Sequence, residues 1–402
     1  MSDQPDLKLT HIGSLVSYDP ESGALREWRD CECTIRNAQV VEIGSSLPEA
    51  KDTIDCDGKL VTPGFVDSHT HPVFLYGREE EFLRRLGGAS YQEIAETGGG
   101  IQSSIQGVRE ASEAELIAVV TQRMDRFLRL GTTTVEAKSG YGLSLESELK
   151  SLNVLQQVNA QHPIDIVPTF LGAHSFPAEY SERPDDYVNL VCDEMLPAVR
   201  DQGIARFCDV FCERGYFSAD QSRKILTKAR TMCLGIRLHA DEFVDSGAAH
   251  LAGELGARSA DHLMAVSPDG IAALARSGVI ATLLPGTTFF LGQSTYAPYG
   301  DLAAAGIHIA LATDFNPGSC HIQSMPFIIA LACIYLKMSV EAALIGATWM
   351  GAKSLGLEQR VGHLMPGAQA DLILWDVASP VQIPYFADDA PIRMVLKAGK
   401  LV

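Results

Sequence analysis

Short apolar runs alternate with longer stretches of helical spacing through most of this chain. Eight of these runs are candidates for strands buried on both faces, because such strands have no polar side to alternate with. They cover residues 64–71, 133–138, 164–171, 207–212, 235–239, 258–262, 279–284 and 307–313. Eight strands separated by helices are typical of a closed parallel barrel, so the pattern predicts an α/β fold built on a (β/α)8 barrel.

The segments between these runs carry helix signals. Ser112 begins a capping-box sequence, with Glu115 three residues later, and apolar residues follow at helical spacing until Gly131. A glycine directly after such a stretch commonly ends a helix. We therefore predict that the linkers form the outer helices of the barrel.

Both ends of the chain have a different pattern of apolar and turn residues. Short β-like runs separated by turn residues fill the N-terminal end, and the same pattern returns at residues 371–375 and 392–396. We predict that residues 1–62 and 360–402 form one small, β-sandwich-like domain. Residues 63–359 are then the barrel.

Composition narrows the possible functions. The chain has 402 residues and a net charge of −18, which argues against a nucleic-acid surface and requires a local cationic pocket for any anionic substrate. The longest apolar run, residues 327–336, is about half the ~20 residues of a membrane span, so we expect a buried helix and no membrane contact. Nine cysteines without a CxxC pair, and an N-terminus unlike a signal peptide, indicate a cytoplasmic protein.

Histidines are concentrated at the predicted strand ends. Five of the eleven lie at or just past such an end: His69, His71, His174, His239 and His262. The carboxyl ends of barrel strands meet at one face, where active sites are built. A single histidine there is commonly a packing residue, but five together indicate a metal centre.

Four of the strand-end residues match a metal ligand set. Three neutral imidazoles (His69, His71, His239) and one carboxylate (Asp314) suit a single metal ion with one position left for water. A metal in such a site lowers the pKa of its water toward ~7 and supplies hydroxide at neutral pH. We therefore expect a metal-dependent hydrolase, in which Asp314 also accepts the proton of that water.

Other strand-end residues are candidates for acid–base and electrostatic work. Glu242 can take or return a proton at the substrate, and the division of this task between Glu242 and Asp314 stays open. His262 and His174 can polarise a carbonyl or hold developing negative charge. Strand alternation predicts that Asp261, beside His262, points away from the barrel interior.

Two residues are candidates for binding an anion. Arg78 offers a planar fork for a carboxylate and Tyr141 offers a hydroxyl donor, although each can equally be a surface residue. Lys138, at the end of the second strand, is either a buried charge partner or a secondary substrate cation. The run Gly98-Gly99-Gly100 belongs either to a mobile lid or to an ordinary tight loop.

These residues lie in strings that resemble the amidohydrolase superfamily over essentially the whole chain. Its His-x-His element is Pro63-Gly64-Phe65-Val66-Asp67-Ser68-His69-Thr70-His71 in this sequence. Further strings resemble the imidazolonepropionase family: Thr70-His71-Pro72-Val73-Phe74, Thr97-Gly98-Gly99-Gly100-Ile101, Lys138-Ser139-Gly140-Tyr141-Gly142, Phe170-Leu171-Gly172-Ala173-His174, His239-Ala240-Asp241-Glu242-Phe243 and Asp314-Phe315-Asn316-Pro317-Gly318-Ser319. The first element is superfamily-wide, whereas the joint set is specific.

The resemblance implies hydrolysis of the cyclic amide of 4-imidazolone-5-propanoate to N-formimidoyl-L-glutamate, a step of L-histidine degradation. It implies one divalent or ferric ion per subunit, zinc or iron, on the four ligands above, and a homodimer. Glu242, His262 and Asp314 would be catalytic. The implied substrate contacts are Arg78, Tyr91, Tyr141, His174, Glu242, Asn316, Gly318 and Ser319.

Two comparisons within the superfamily sharpen this hypothesis. Many binuclear relatives bridge two metals through a carboxylated lysine on the fourth strand, and residues 207–212 contain no lysine, which favours one metal. The alternative function is an amidohydrolase-type deaminase of a heterocyclic ring, with the same metal set. A neutral base has no carboxylate for Arg78 and Tyr141 to bind, so this pair favours the propionate-bearing ring.

Overall fold

The computed structural model describes residues 4–88 and 99–402, which form two sheets surrounded by helices. In chain order the strands are β1 (Leu7–Asp19), β2 (Ala24–Arg36), β3 (Gln39–Gly44), β4 (Asp52–Asp55), β5 (Leu60–Pro63), β6 (Phe65–Asp67), β7 (Thr132–Lys138), β8 (Asp165–Ala173), β9 (Phe207–Cys212), β10 (Gly235–Ala240), β11 (Ser259–His262), β12 (Ile280–Leu283), β13 (Ile309–Leu311), β14 (Leu372–Trp375), β15 (Ile392–Lys397) and β16 (Lys400–Leu401).

The central sheet consists of eight parallel strands, β6 to β13, in unbroken chain order. It closes where the chain after β6 meets the chain after β13. There Thr70 pairs with Phe315, and the backbone N–H of Asp314 donates to the carbonyl oxygen of His69 at 3.1 Å. This closure confirms the predicted (β/α)8 barrel. All eight predicted strands occur, and β6 is shorter than predicted because it ends before the two histidines.

Helices connect the barrel strands and cover their outer face. The α-helices are Glu79–Leu86, Ile101–Glu110, Glu113–Arg129, Leu145–Gln161, Pro184–Leu190, Leu196–Gln202, Ala219–Thr231, Ala248–Leu255, Pro268–Ser277, Pro285–Phe290, Tyr299–Ala304, Met325–Leu331, Val340–Ile345, Gly351–Ser354 and Gln382–Tyr385. π-helical turns occupy Val191–Met195, Ala332–Leu336 and Gly346–Met350. The predicted capping box is present, since the Ser112 hydroxyl accepts from the Glu115 N–H and the Glu115 carboxylate accepts from the Ser112 N–H.

The second sheet is built from both ends of the chain, in agreement with the predicted fold class. Its strand order is β16-β15-β14-β5-β1-β2-β3, and β4 pairs with β1 on the side of β5. β1 and β2 form a long antiparallel hairpin, and β14 joins the N-terminal strands by pairing with β5. All of these strands therefore belong to one mixed sheet.

The chain passes from the terminal sheet to the barrel at Gly64, between β5 and β6. A Cβ atom there would lie 2.4 Å from the Thr133 hydroxyl, so only glycine fits. A buried ion cluster also joins the two sheets: the Lys397 ammonium lies 2.8 Å from Asp165, beside β8, and 2.6 Å from Asp371, beside β14. These contacts fix the strand that carries the His-x-His element against the terminal sheet.

The long apolar run near the C-terminus is helical from Met325 to Leu336 and mostly buried, although Ile334 and Tyr335 are exposed. Across residues 4–88 and 99–402, none of the helices combines the length and the apolar character that crossing a membrane requires.

Candidate metal centre and substrate pocket

His69 and His71 leave the end of β6 and point together into the mouth of the barrel. Both are buried, and their Nε2 atoms lie 3.3 Å apart. Their backbone is held by the chain after β13, because the His71 N–H donates to the Phe315 carbonyl at 2.8 Å. Closure of the barrel therefore sets the position of the His-x-His pair.

The other two predicted ligands meet this pair. His239, near the end of β10, brings its Nε2 to 3.3 Å from that of His71. Asp314, just after β13, places its Oδ1 3.5 Å from the Nε2 atoms of both His69 and His71. A tetrahedron with metal–ligand bonds of about 2.1 Å has edges of about 3.4 Å. Four of the six spacings in this set, which we call the ligand cluster, thus match one small metal ion, and His239 also lies within 4.8 Å of the donor atoms of His69 and His262.

Buried carboxylates orient two of the three imidazoles. His69 Nδ1 lies 2.7 Å from Asp261 Oδ2, and His239 Nδ1 lies 3.0 Å from Asp209 Oδ1. A carboxylate beside Nδ1 holds the proton there and leaves the lone pair on Nε2, facing the other ligands. The donor set is therefore presented in the tautomer that binds a metal.

The expectation that Asp261 points away from the barrel interior is wrong. Asp261 is fully buried below His69, on the inside of the barrel. The alternation rule fails at the next residue, because His262 has φ 79° and so leaves the extended conformation. Both Asp261 and His262 can consequently face the interior.

Two buried cations balance these carboxylates. Lys138 lies 2.8 Å from both Asp209 and Glu136, and its side chain has no exposure to solvent. Arg237 donates to Asp261 at 3.2 Å and to the Ser68 carbonyl at 2.8 Å. Of the two roles left open for Lys138, the structure shows the buried charge partner.

Burial favours the neutral form of the imidazoles of His69, His71 and His262. Burial, together with the nearby charge of Lys138, holds the pKa of His69 well below its usual value, and burial does the same for His71 and His262. Burial also lowers the pKa of His174 to about 3. Neutral imidazoles have the free lone pair that metal binding needs.

Glu242 and His262 face the centre from neighbouring loops. Glu242 Oε2 lies 3.7 Å from His262 Nε2, and both residues line the same cavity. Burial, with added repulsion from Asp314 and Glu213, raises the pKa of Glu242 well above its usual value. Within the described residues neither ring nitrogen of His262 has a hydrogen-bond partner, so the ring is available to a bound molecule.

Asp314 is held by the helix Pro285–Phe290, which follows β12. The Thr287 hydroxyl donates to Asp314 Oδ2, which leaves Oδ1 facing His69 and His71. Burial raises the pKa of Asp314 to about 6, and the bond from Thr287 opposes this rise. Thr287 thus holds Oδ2 of Asp314, and Oδ1 faces His69 and His71.

A cavity of about 40 Å³ opens above these residues. The predicted residues on its wall are His71, Arg78, Tyr141, His174, His239, Glu242, His262, Asp314, Asn316 and Ser319. Sequence reasoning missed the apolar and aromatic part of the wall, formed by Ile101, Phe211, Tyr216 and Phe243. One side of the cavity is therefore polar and cationic, and the other is suited to a flat ring.

Arg78 lies on the cavity wall and is mostly buried, so its surface alternative is wrong. Its Nε donates to Glu81 at 2.8 Å, which holds the guanidinium in place. A Cβ on Gly318 would come within 2.5 Å of that guanidinium, so glycine is needed for this close approach. The absence of a side chain at Gly318 thus leaves room for the Arg78 guanidinium.

Asn316 shapes the loop that ends in Ser319. Its side-chain oxygen accepts from the Gly318 and Ser319 N–H groups at 2.8 and 2.7 Å, and its nitrogen donates to the Asp314 carbonyl. The Asn316 side-chain amide therefore makes most of its hydrogen bonds within its own loop. Ser319 stands at the cavity wall on the same turn.

Tyr141 and His174 form the wall opposite Glu242. Tyr141 is buried, which excludes its surface alternative, and its ring centroid lies 5.2 Å from that of His174. His174 Nδ1 donates to the Gly140 carbonyl at 2.9 Å. The predicted contact Tyr91, and Gly98 of the glycine run, lie outside the described residues.

The sequence held a signal for the missed orienting residues. Asp209, Glu136 and Arg237 are charged residues in the middle of apolar strands, where a charge must have a partner. Strand order places them side by side, since β7 to β11 are neighbours. Their pairing with particular histidines depends on register and was not predictable from composition.

The chain matches the family model described as "Amidohydrolase family" over residues 60–402. Among curated proteins, the imidazolonepropionase of Geobacillus kaustophilus is 45% identical over 390 residues, covering 97% of this chain and 88% of that protein. The imidazolonepropionase of Bacillus velezensis is 42% identical over 413 residues and covers 100% and 98%.

Solved structures share the fold at lower identity. An adenosine deaminase from Xanthomonas campestris with bound zinc has a TM-score of 0.76 and 20% identity, covering 100% of this chain and 93% of that one. A guanine deaminase from C. acetobutylicum has a TM-score of 0.70 and 17% identity, covering 98% and 99%. At this identity the likeness concerns the fold alone.

Proposed function

The chain belongs to the amidohydrolase family and, within it, to the imidazolonepropionases, and we propose that it hydrolyses 4-imidazolone-5-propanoate to N-formimidoyl-L-glutamate. The observation that carries this proposal for the site is the joint geometry of the ligand cluster and the cationic wall. His69, His71 and Asp314 place their donor atoms 3.3–3.5 Å apart at one edge of the cavity, and His239 adds a fourth donor 3.3 Å from that of His71. Arg78 lies on the wall of the same cavity.

The proposed metal ligands are His69, His71, His239 and Asp314. A metal ion in this set would act as a Lewis acid and activate water. The proposal of a single ion is supported by Lys138, which is bound between two carboxylates and so does not bridge two metals. Zinc and iron both suit a set of three imidazoles and one carboxylate, and metal analysis of the purified protein distinguishes them.

Arg78 is proposed to bind the propionate of the substrate. A guanidinium matches a carboxylate with two parallel hydrogen bonds, and in a chain of net charge −18 this fixed cation offsets the general repulsion of an anion. Tyr141 and His174 then contact the ring from one side. This arrangement turns the ring carbonyl toward the ligand cluster.

The hydrolysis adds one water across the amide bond of the ring. The water oxygen bonds to the carbonyl carbon while Asp314 accepts its proton, and His262 faces the oxygen on which negative charge develops. The bond from that carbon to the ring nitrogen then breaks. Glu242, whose raised pKa keeps a proton on its carboxyl, gives that proton to the departing nitrogen.

Two further features belong to the proposal. A homodimer is suggested by the family resemblance, and sedimentation velocity tests it. A cytoplasmic location is supported by the cysteines, all nine of which are free thiols and seven of which are buried. An oxidising compartment would favour paired cysteines.

The proposal is tested by following the loss of imidazolonepropionate absorbance with purified enzyme, together with elemental analysis of its metal. Wild type should turn the substrate over, and Asp314→Ala should lose both metal and activity. Asp301→Ala is the control. It removes an exposed carboxylate on the helix Tyr299–Ala304 and should behave as wild type. Absence of turnover by metal-loaded wild type would refute the function, and full activity of Asp314→Ala would refute the ligand role.

A further inference from the structure

Two buried glutamates contact neither the ligand cluster nor the cavity. Glu148 lies in the first turn of the helix Leu145–Gln161, and Glu213 follows β9. Glu148 is fully buried and Glu213 is 2% exposed, so each carboxylate needs compensation from the protein. Both obtain it from backbone N–H groups of a loop that carries a residue of the pocket.

Glu148 binds the loop after β7. Its Oε1 accepts from the N–H groups of Gly142 and Leu143, both at 2.9 Å, and its Oε2 accepts from the Gly140 N–H at 3.0 Å. These three donors surround Tyr141 in the sequence. Because the acceptor is charged, each bond is stronger than a neutral one and the loop has one preferred shape.

The carbonyl side of the same loop is held from the opposite direction. Arg109 donates to the Gly142 carbonyl at 2.7 Å and to the Leu143 carbonyl at 3.0 Å. Glycine is required at 142, where a Cβ would lie 2.5 Å from the Cβ of Ser147. The loop is therefore clamped between an anion and a cation, against the start of the helix that follows it.

This clamped loop presents two pocket groups. Tyr141 extends from it onto the cavity wall, and the Gly140 carbonyl accepts from His174 Nδ1 at 2.9 Å. Gly140 has φ 102°, and a Cβ there would lie 2.9 Å from the Leu171 carbonyl. The backbone that Glu148 binds thus determines where the Tyr141 side chain starts and which tautomer His174 adopts.

Glu213 has the corresponding relation to the loop after β10. Its Oε2 accepts from the Phe243 N–H at 2.9 Å, directly after Glu242. Asp241, directly before Glu242, turns away and accepts from the N–H groups of Ala248 and Ala249 at 3.1 and 3.0 Å. Glu242 is consequently held from both sides in the one orientation that faces His262.

We propose that Glu148 and Glu213 are positioning residues with separate tasks, Glu148 for substrate binding through Tyr141 and His174, and Glu213 for proton transfer through Glu242. The inference rests on the proposed function, and it adds that binding and proton handling are set by different buried carboxylates. Neither residue lines the cavity: Glu148 acts through its loop, and Glu213 acts through its loop and through its charge near Glu242. The two loops follow different strands, β7 and β10, which allows one to shift without the other.

The test compares Glu148→Gln with Glu213→Gln, since glutamine keeps the shape, removes the charge and replaces one acceptor oxygen by an NH2 donor. Glu148→Gln should raise KM about tenfold, the equivalent of one charge-assisted hydrogen bond, and keep kcat within about threefold. Glu213→Gln should lower kcat about tenfold with KM nearly unchanged. Metal content should equal that of wild type in both.

Binding is also measured directly, by calorimetry with 3-(imidazol-4-yl)propanoate, an analogue that lacks the scissile carbonyl. Its affinity should fall about tenfold in Glu148→Gln and stay at the wild-type value in Glu213→Gln. This readout needs no turnover, so it separates failure of the positioning roles from failure of the proposed reaction. Each variant is the matched control for the other.

The proposal would be overturned if both variants changed KM and kcat in the same way and had similarly lowered melting temperatures. That result would show a merely structural role. If Glu148→Gln does not fold, Arg109→Met removes the opposite side of the same clamp from a partly exposed position. It should likewise raise KM without lowering kcat. An unchanged KM in a folded Arg109→Met protein would also overturn the assignment to Glu148.

Discussion

Glu242 is the residue whose protonation state most directly limits the proposed reaction. It is buried beside the ligand cluster, and burial together with Asp314 and Glu213 raises its pKa well above the usual value. A carboxyl with a raised pKa keeps its proton near neutral pH and loses it as the pH rises. At the residue scale, the proposed reaction therefore assigns the acid to Glu242 and the base to Asp314.

We predict that Glu242→Gln lowers kcat by about 10²–10⁴-fold, because glutamine cannot give a proton to the departing nitrogen. In wild type, kcat/KM should fall as the pH rises through the raised pKa of Glu242. That basic limb should be absent from the residual activity of the variant. A pH–rate profile measures both, and persistence of the limb in Glu242→Gln would assign it to another group.

Asp209 is predicted to act on metal affinity. Asp209→Asn weakens the hold on the His239 Nδ1 proton, so Zn²⁺ affinity should fall about 10–100-fold. Competition with a chromophoric chelator measures this in the folded protein. Asp125→Asn is the control, because Asp125 also lies beside a histidine nitrogen, that of His162, but on the surface. Equal affinities for the two variants would contradict the orienting role.

At the scale of elements, the loops after the barrel strands decide which side chains enter the site. The chain leaves β11 with φ 79° at His262, and Asp314 and Asp241 also have positive φ, at 54° and 50°. Such conformations cost free energy in residues other than glycine and persist where the surroundings impose them. Three of the residues with this local strain therefore face the cluster or flank Glu242.

The outer helices are independent of this strain, and one of them offers a simple stability test. Ser112→Ala removes the capping box of the helix Glu113–Arg129 and should lower the free energy of unfolding by about 1 kcal/mol. Ser112→Gly should cost only a few tenths of that, because water reaches the exposed N–H groups. Urea denaturation curves measure both. An unchanged free energy of unfolding in Ser112→Ala would mean that the hydroxyl contributes little.

At the scale of the whole molecule, the terminal sheet and the barrel share one buried ion cluster. Lys397 contacts Asp165 and Asp371 with its ammonium almost fully shielded from solvent. Removing Lys397 leaves the buried Asp371 without its counter-charge, whereas Asp165 is partly exposed and keeps Arg360. The cluster lies next to the passage from β5 to β6, so its integrity supports the strand that leads into His69 and His71.

Lys397→Met should therefore lower the free energy of unfolding by about 3–5 kcal/mol. Lys51→Met, which removes an exposed pair with Asp6, should cost less than about 1 kcal/mol and is the matched control. Denaturation followed by circular dichroism compares the two. Similar small losses would show that water replaces the cluster without penalty.

The sequence by itself determined the elements and most of the chemical groups. The apolar periodicity predicted eight barrel strands, and the predicted ligands and most predicted pocket residues lie together because strand ends share one face of a barrel. The prediction failed for the direction of Asp261, where contacts with neighbouring strands outweigh the alternation along the strand. Asp261 lies in register with His239 and faces inward with it, and His262 faces the same cavity because its positive φ breaks the alternation.

Only the tertiary structure decided which charged residues serve which ligands. Asp209 and Asp261 are ordinary buried acids in the sequence, and the strand register places one under His239 and the other under His69. Likewise, Glu148 and Glu213 find their loops through packing between successive elements. The physical reason is that a hydrogen bond depends on distances of a few tenths of an ångström, which closure of the barrel sets and residue spacing along the chain does not.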